Sequence, residues 1–246
     1  MKINWNYIIG VLLIALVGFL YGFSNHRNST IKVKEIVIEF EKGDNLFMNS
    51  QMVNKLLIQK GKTVRNQEKS VIDLHKLESN VLSHPMVENA AVFLTVDGLL
   101  KAKVRQRTPI ARIVSKNESY YIDKQAKRMP LSVNHSERVL IVSGDIEDEN
   151  FEEIHQLATT ILNDDFLKKQ IIGVEKMPNK EYILETRIGG QKIILGKIER
   201  LNEKFRNLES FYSKTMIDST INNYTSINLK YNKQVVCTKE VEYGTQ

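Results

Sequence analysis

The stretch "HPMVENAAVFLTVDGLLKAKVRQRTPIARI" (84–113) predicts two strands joined by a tight turn. Asp97-Gly98 is a strong signal for a two-residue hairpin loop, because such loops need backbone angles that these residues tolerate. After the turn, apolar and basic residues alternate, and successive side chains of a strand point to opposite faces. Leu100, Ala102 and Val104 therefore face a core. The cations of the opposite face are Lys101, Lys103, Arg105 and Arg107.

Three kinds of surface would explain this row of cations: a nucleic-acid site, a contact with lipid or protein, and the solvated face of a sheet. Nucleic-acid binding is disfavoured, because the cations are not interleaved with aromatic residues and lie on no recognisable reading element. The net charge of +6 is uneven. Residues 1–31 contribute +2, residues 32–107 hold thirteen cations and nine anions, and residues 108–246 hold twenty of each. The sequence leaves the solvated face and the contact with lipid or protein open.

Two helices are predicted between a first strand and the hairpin. The first strand is "IKVKEIVIEF" (31–40), and "NSQMVNKLLIQKG" (49–61) follows with an N-cap residue and apolar side chains at helical spacing. The second helix is "DLHKLESNVLSHP" (73–85), and Pro85 excludes helical backbone from the residue before it. The predicted order over residues 31–108 is therefore strand, helix, helix, strand, strand.

The N-terminal segment "WNYIIGVLLIALVGFLYGF" (5–23) carries no charge. A helix of this length crosses a hydrocarbon core of about 30 Å. A cleaved signal peptide is the alternative, but its apolar region is normally about 7–15 residues and is followed by a small-residue cleavage site. We predict an uncleaved membrane anchor, with the rest of the chain on one side. The flanking charges do not decide the orientation, and the single cysteine, Cys237, fits an outer, oxidising location.

A second, mixed α+β domain is predicted from residue 109 to 238. Short strands follow Pro109, then a helix at 148–164, three further strands, and a helix at 198–216. The last strand ends in "QVVC" (234–237), and the tail 239–246 is predicted to fray.

The sequence contains no pattern typical of a catalytic, cofactor or metal site. The five histidines are not spaced as metal ligands with one another or with Cys237. There is no nucleophile elbow, phosphate-binding loop, dinucleotide fingerprint or CxxC pair. We therefore predict a protein that is not an enzyme, with no cofactor, no small-molecule substrate and no nucleic-acid partner.

The stretch at 84–113 resembles the FtsQ/DivIB family of bacterial cell-division proteins. In that family a helix ends at a proline, a "V..A.V" strand follows, and a second strand runs into a "V.ER.P.A" signature. The corresponding residues are His84, Pro85, Val87, Ala90, Val92, Val104, Arg107, Pro109 and Ala111. Gln106 stands where the family usually has an acid. The segments "YYIDKQAKRMPLS", "KIILGKIERLNEKFRNL" and "SINLKYNKQVV" are similar to later family motifs, so the resemblance covers roughly residues 5–237.

The resemblance implies an α+β protein with one N-terminal transmembrane helix, a POTRA domain (βααββ) and a β-rich α+β domain. The implied organisation is a cytoplasmic N-terminus (1–4), the transmembrane helix (5–23), a linker (24–30), the POTRA domain (31–108), the distal domain (109–238) and a flexible tail (239–246). It implies a single-pass protein of the cytoplasmic membrane, with its bulk in the periplasm and enrichment at the division septum.

The implied function is a non-catalytic divisome scaffold that links early and late division proteins. Family members bind the bitopic proteins FtsB and FtsL, and the POTRA region makes further divisome contacts. A POTRA-bearing envelope chaperone or secretion component, and a membrane-anchored cell-wall enzyme, are the alternatives.

In the family, the terminal strand of the distal domain lies at a sheet edge, where a partner strand can be added. The matching residues here are Tyr231, Asn232, Lys233, Gln234, Val235 and Val236. Proline at Val235 is expected to abolish partner binding and leave the fold intact. The alternative is that this segment is only the last core strand.

Overall fold

Helix α1 (Trp5–Ser29) opens the computed structural model, which describes residues 5–41, 47–59, 61–115 and 118–239, with Asn6 and Tyr7 by their backbone alone. Within the described residues, α1 is the one helix that is long and apolar enough to cross a membrane. The predicted N-terminus (1–4) and all but the first residue of the predicted tail (239–246) lie outside the described residues.

The helix continues beyond the apolar segment into the residues that we predict as a linker. Residues 24–29 are helical, because "SNHRNS" contains neither proline nor glycine and hydroxyl groups at the end of the helix bond to its carbonyls. The hydroxyls of Ser29 and Thr30 both donate to the carbonyl of His26, at 2.8 and 3.2 Å. The anchor and the segment that leads out of it are therefore one helix.

The chain divides into two units, residues 1–106 and 107–246. After α1, the first unit contains a three-stranded sheet with helices on one face. Its further elements are β1 (Glu35–Phe40), α2 (Ser50–Leu56), β2 (Ile58–Gln59), β3 (Lys62–Thr63), α3 (Leu74–Leu82), β4 (Val87–Leu94) and β5 (Leu99–Gln106). The sheet order is β1-β5-β4, with β1 parallel and β4 antiparallel to β5.

The βααββ order predicted for a POTRA domain is confirmed, with one addition. The small hairpin β2–β3 lies between the two helices. The predicted helix starts are caps of the expected kind, since the side chain of Asn49 accepts from the amide of Met52 and that of Asp73 from the amide of Lys76. The alternate residues Leu100, Ala102 and Val104 are fully buried, as the pattern predicts.

The second unit is built on a nine-stranded mixed sheet. Its strands are β6 (Pro109–Val114), β7 (Ser119–Asp123), β8 (Arg128–Pro130), β9 (Leu140–Gly144), β10 (Ile171–Lys176), β11 (Tyr182–Thr186), β12 (Lys192–Gly196), β13 (Tyr224–Asn228) and β14 (Val236–Lys239). Its helices are α4 (Phe151–Leu162), α5 (Asp165–Gln170) and α6 (Leu201–Ile217). The sheet order is β14-β13-β12-β11-β10-β9-β6-β7-β8.

One core joins the helices of the second unit to its sheet. Helix α4 buries Phe151, Ile154, Leu157 and Ile161, at the spacing that the sequence predicts for one apolar face. These side chains belong to a single buried cluster with residues of the strands from β13 to β7 in the sheet order, and Cys237 of β14 packs against this cluster. Strand β14 therefore belongs to the same unit as the helices.

Candidate partner-binding edge

The nine-stranded sheet ends at β14, and this edge is open within the described residues. Strand β14 pairs with β13 alone, in antiparallel register from Asn228 opposite Val236 to Tyr224 opposite Lys239. An edge strand presents N–H and C=O groups that a further strand can pair with. Adding an extended peptide to such an edge is a recurring mode of protein recognition.

The predicted edge residues lie mostly before this strand. Of the segment from Tyr231 to Val236, only Val236 is in β14, and the other five residues form the connection from β13. The connection turns at Lys233, whose φ is +58°. The strand therefore starts five residues later in the chain than the sequence pattern suggests, and it continues to Lys239, beyond the predicted residues.

Polar contacts to two neighbouring loops hold the β13–β14 connection. Arg200 donates to the side-chain oxygen of Asn232 at 2.9 Å, and Lys230 forms an ion pair with Glu181 at 2.6 Å. The hydrogen bond from Lys230 holds the pKa of the Glu181 carboxyl below its usual value. The fixed connection leaves Tyr231 half exposed, next to the start of the edge strand.

Arg200 lies in the connection between β12 and α6, which is held by the buried Lys204. The sequence pattern did not predict a role for this lysine. Lys204 donates to the carbonyls of Leu195 and Lys197, at 2.9 and 2.8 Å, and so closes the connection between β12 and α6. Burial lowers the pKa of Lys204. The sequence does contain a signal for this role, because Lys204 occupies a core position of an amphipathic helix. Leu201, Phe205 and Leu208 flank it on the buried face.

The inner face of the terminal segment is packed on the core. Val235 and Cys237 are partly buried against it, and Val236 between them is exposed. Burial raises the pKa of the Cys237 thiol, which disfavours the reactive thiolate. Cys237 therefore behaves as a small apolar residue of the strand.

The opposite edge of the sheet is a poorer template for a partner strand. Strand β8 has three residues and ends at Pro130, which has no N–H to donate. Its Arg128 pairs with Glu118 and lies over the ring of Tyr120, 3.9 Å from the centroid. Short length and proline are common devices that protect an edge. Of the two edges, β14 is the one with unprotected backbone.

The row of cations on β5 faces carboxylates in β1 and in the residue that follows it. Lys101 forms an ion pair with Glu39 at 2.9 Å, and Arg105 pairs with Glu41 at 2.8 Å. The hydrogen bond from Lys101 lowers the pKa of Glu39. Lys103 lies over the ring of Phe93, 5.9 Å from its centroid. These contacts favour the solvated sheet face over a surface with free positive charge.

Arg107 does not belong to that face. Strand β5 ends at Gln106, and Arg107 is the first residue of the second unit. Its guanidinium donates to Asp123 at 2.6 Å, and Asp123 is 2% exposed. The other oxygen of Asp123 accepts from the amides of Gln125 and Lys127, both at 2.8 Å. We predicted Arg107 on the same face as the strand cations, because the alternation of basic residues in the sequence continues past the end of β5.

Gln106 fills the position where the resemblance leads one to expect an acid. Its side-chain oxygen accepts from the amides of Phe47 and Met48, at 3.0 and 3.1 Å. These amides belong to the two residues that immediately precede the N-cap of α2. An amide oxygen and a carboxylate oxygen both serve as the acceptor here, so the exchange of acid for glutamine preserves this contact.

Two family models match the chain, one for each unit. A POTRA-like domain matches residues 32–105. The family described as FtsQ/DivIB, C-terminal related, matches residues 108–238, which is more than half of the chain. The chain belongs to the FtsQ/DivIB family. This membership confirms the resemblance inferred from the motifs at 84–113 and downstream.

A solved structure is similar at low identity. It is the major extracytoplasmic domain of the trans isomer of the cell-division protein DivIB from Geobacillus stearothermophilus, with 11% identity and a TM-score of 0.32. The match covers 46% of this chain and 96% of that one. No curated protein matches the sequence.

The FtsQ/DivIB family is a family of non-catalytic cell-division proteins, and membership implies interactions with other proteins of the divisome. The described residues contain no group of three or more His, Cys, Asp or Glu side chains that could hold a metal ion. The FtsQ/DivIB match reaches residue 238 and so includes most of β14. The edge and its supporting contacts therefore lie within the matched part of the chain.

Proposed function

We propose that this chain is a divisome scaffold, itself without catalytic activity, that binds FtsB- and FtsL-type bitopic proteins by strand addition to β14. The observation that carries the proposal is the open edge of β14 at the end of the nine-stranded sheet. The exposed side chains of Val236 and Tyr231 lie beside this backbone and add apolar contact area for a partner. Main-chain pairing supplies affinity and the flanking side chains supply specificity.

The proposed organisation follows the predicted boundaries. Residues 1–4 are cytoplasmic, 5–23 span the cytoplasmic membrane, and 24–30 lead into the periplasmic part. The POTRA domain (31–108) makes further divisome contacts, the distal domain (109–238) binds the bitopic partners, and the protein is enriched at the septum. The apolar helix, the POTRA-like match and the FtsQ/DivIB match support this arrangement.

Co-purification with the periplasmic parts of FtsB and FtsL from the same organism tests the proposal. The full chain in detergent is compared with a variant that ends at Val235 and so lacks β14. The matched control ends at Lys239 and retains β14. We expect the control to capture the partners and the shorter variant to lose them while its melting temperature shows a folded protein. Capture by a folded variant without β14 would contradict the edge model.

A further inference from the structure

Hydrogen bonds hold two turns of the first unit against the residues that directly follow α1. The amide of Lys34 donates to the carbonyl of Gly98 at 2.8 Å, in the β4–β5 turn. A Cβ at Gly98, whose φ is +85°, would lie 2.7 Å from the carbonyl oxygen of Lys32. The amide of Lys69 donates to the carbonyl of Ile31 at 2.9 Å. The β4–β5 turn and the segment at Lys69 are thus held against the first residues after α1.

These two turns expose aliphatic side chains. Val96, in the β4–β5 turn, is 87% exposed, and Val71, in the short helix at Lys69–Val71, is 57% exposed. Isolated exposed valines are common, but here both lie on the turns that contact the residues following a membrane helix. Aliphatic side chains at the edge of a bilayer gain by inserting into its interfacial region.

A recess of about 630 Å³ lies between Val96 and the last turns of α1. The helix contributes Tyr21, Ser24, Asn25, Arg27 and Asn28 to its wall. Tyrosine is enriched where a membrane helix meets the headgroup region. Amide, hydroxyl and guanidinium groups are all donors that bind phosphate oxygens. The recess therefore offers donors for a phosphate group beside apolar surface.

The charged groups of the recess are cationic. Arg27 lines it and has no carboxylate within ion-pair distance among the residues that the structure describes. Lys69 donates to the side-chain oxygen of Asn28 at 3.3 Å and so brings a second cation to the rim. Glu68 and Asp97 lie on the adjoining turns, and neither lines the recess. This differs from the β5 face, where Lys101 and Arg105 are matched by carboxylates.

We propose that this recess binds the phosphate headgroup of an anionic phospholipid, and that Val96 and Val71 insert into the adjoining leaflet. The location selects the ligand, because the apolar segment ends at Phe23 and all the lining residues except Val96 lie between Tyr21 and Ile31. The attraction of basic residues for anionic lipid falls off within a Debye length of the surface, and Arg27 and Lys69 lie within that zone. The first unit is thereby held against the membrane.

The test uses the full chain in lipid nanodiscs of phosphatidylcholine, with and without phosphatidylglycerol. An environment-sensitive fluorophore is attached at Val96→Cys in a Cys237→Ser background, and a second preparation carries it at Val71→Cys. Val133→Cys is the control, because this side chain is 99% exposed on the second unit. We expect blue-shifted, stronger emission at positions 96 and 71 when phosphatidylglycerol is present, and no change at 133.

Charge variants separate recognition by the recess from general attraction. Arg27→Gln with Lys69→Gln is expected to abolish the phosphatidylglycerol-dependent shift. Lys55→Gln with Lys62→Gln removes the same charge from exposed positions of the same unit and is expected to retain it. The proposal is overturned if emission at positions 96 and 71 matches that at position 133. It is also overturned if the shift does not depend on phosphatidylglycerol, or does not depend on Arg27 and Lys69. The readout requires no protein partner, so it is independent of the edge model.

Discussion

At the scale of single residues, Gln106 shows how one side chain can organise a unit of the fold. Its side-chain oxygen accepts hydrogen bonds from the amides of Phe47 and Met48, which precede α2 and are both buried. We expect Gln106→Ala to destabilise the first unit by about 1–3 kcal/mol, because both amides lose their acceptor. Gln106→Glu retains an acceptor near a helix N-terminus, where negative charge is favourable. Urea unfolding should therefore show a stability at or above that of the wild type.

The matched control for this pair is Gln67→Ala. The side chain of Gln67 donates an exposed hydrogen bond to the carbonyl of Thr63 at 2.9 Å. Its removal is expected to change the unfolding free energy by no more than about 0.5 kcal/mol. Equal effects of the alanine substitutions at 106 and 67 would show that the two amides do not depend on Gln106.

His84 gives the first unit a dependence on pH. The amide of Met86 donates to Nδ1 of His84 at 3.3 Å, which requires that nitrogen to be unprotonated. Burial lowers the pKa of His84 below its ordinary 6.5. Because the unfolded chain then binds the proton more tightly, the contribution to stability is complete above 6.5 and is lost as the pH falls through the folded pKa. Thermal melts between pH 7.5 and 5 should show this loss of stability. The substitution His84→Gln should weaken the dependence of the melting temperature on pH, and the contributions of other titratable groups should remain.

At the scale of elements, the edge strand makes a prediction from backbone geometry. Neighbouring residues of an antiparallel edge strand direct their N–H groups to opposite sides, one towards β13 and one outward. Proline removes a single N–H. Of Val236→Pro and Cys237→Pro, we expect the variant that loses the N–H directed to β13 to have a lower melting temperature. The variant that loses the outward N–H should fold normally and no longer bind FtsB and FtsL. Titration calorimetry and thermal melts on both proteins decide it. Two folded variants that both bind would exclude strand addition at β14.

The elements that repeat a period over several turns were predictable from the sequence, and the short ones were not. Helix α4 follows from its apolar spacing, and the β4–β5 hairpin follows from Asp97-Gly98. The two-residue strands β2 and β3 and the six-residue helix α5 are too short to show a period. The start of β14 was missed for a related reason. The length of the connection depends on contacts such as Arg200 with Asn232, which are distant in sequence.

At the scale of the whole molecule, the two units carry different surfaces. In the first, Lys101 and Arg105 on β5 are paired with Glu39 and Glu41, and Arg27 and Lys69 border a recess beside the anchor. In the second, one sheet edge is protected by length and proline, and the other is open. Strand identity could be inferred from alternation, but the ion pairs could not, because the register between β1 and β5 brings together residues more than sixty positions apart.

The division between the units predicts where an independently folding distal domain must begin. Every member of the second unit's core cluster lies between residues 110 and 237, so the fragment is expected to fold alone. The boundary at 109 suggested by the sequence removes Arg107 and leaves the buried carboxylate of Asp123 without its partner. Breaking a buried ion pair by removing one partner costs about 3–5 kcal/mol. We therefore expect fragment 106–239 to be more stable in urea than fragment 109–239 by about that amount.

The substitution Arg107→Gln in the longer fragment separates the loss of the cation from the loss of chain length. It is expected to reproduce most of the destabilisation, because the chain length is kept while the charge-assisted bond to Asp123 and the weaker bond to the Gln125 side chain, at 3.2 Å, are lost. Arg128→Gln is the matched control, since its ion pair with Glu118 is exposed and such pairs contribute about 0–1 kcal/mol. If the two substitutions have equal effects, or if 109–239 is as stable as 106–239, the Arg107–Asp123 pair is not what fixes the start of the distal domain.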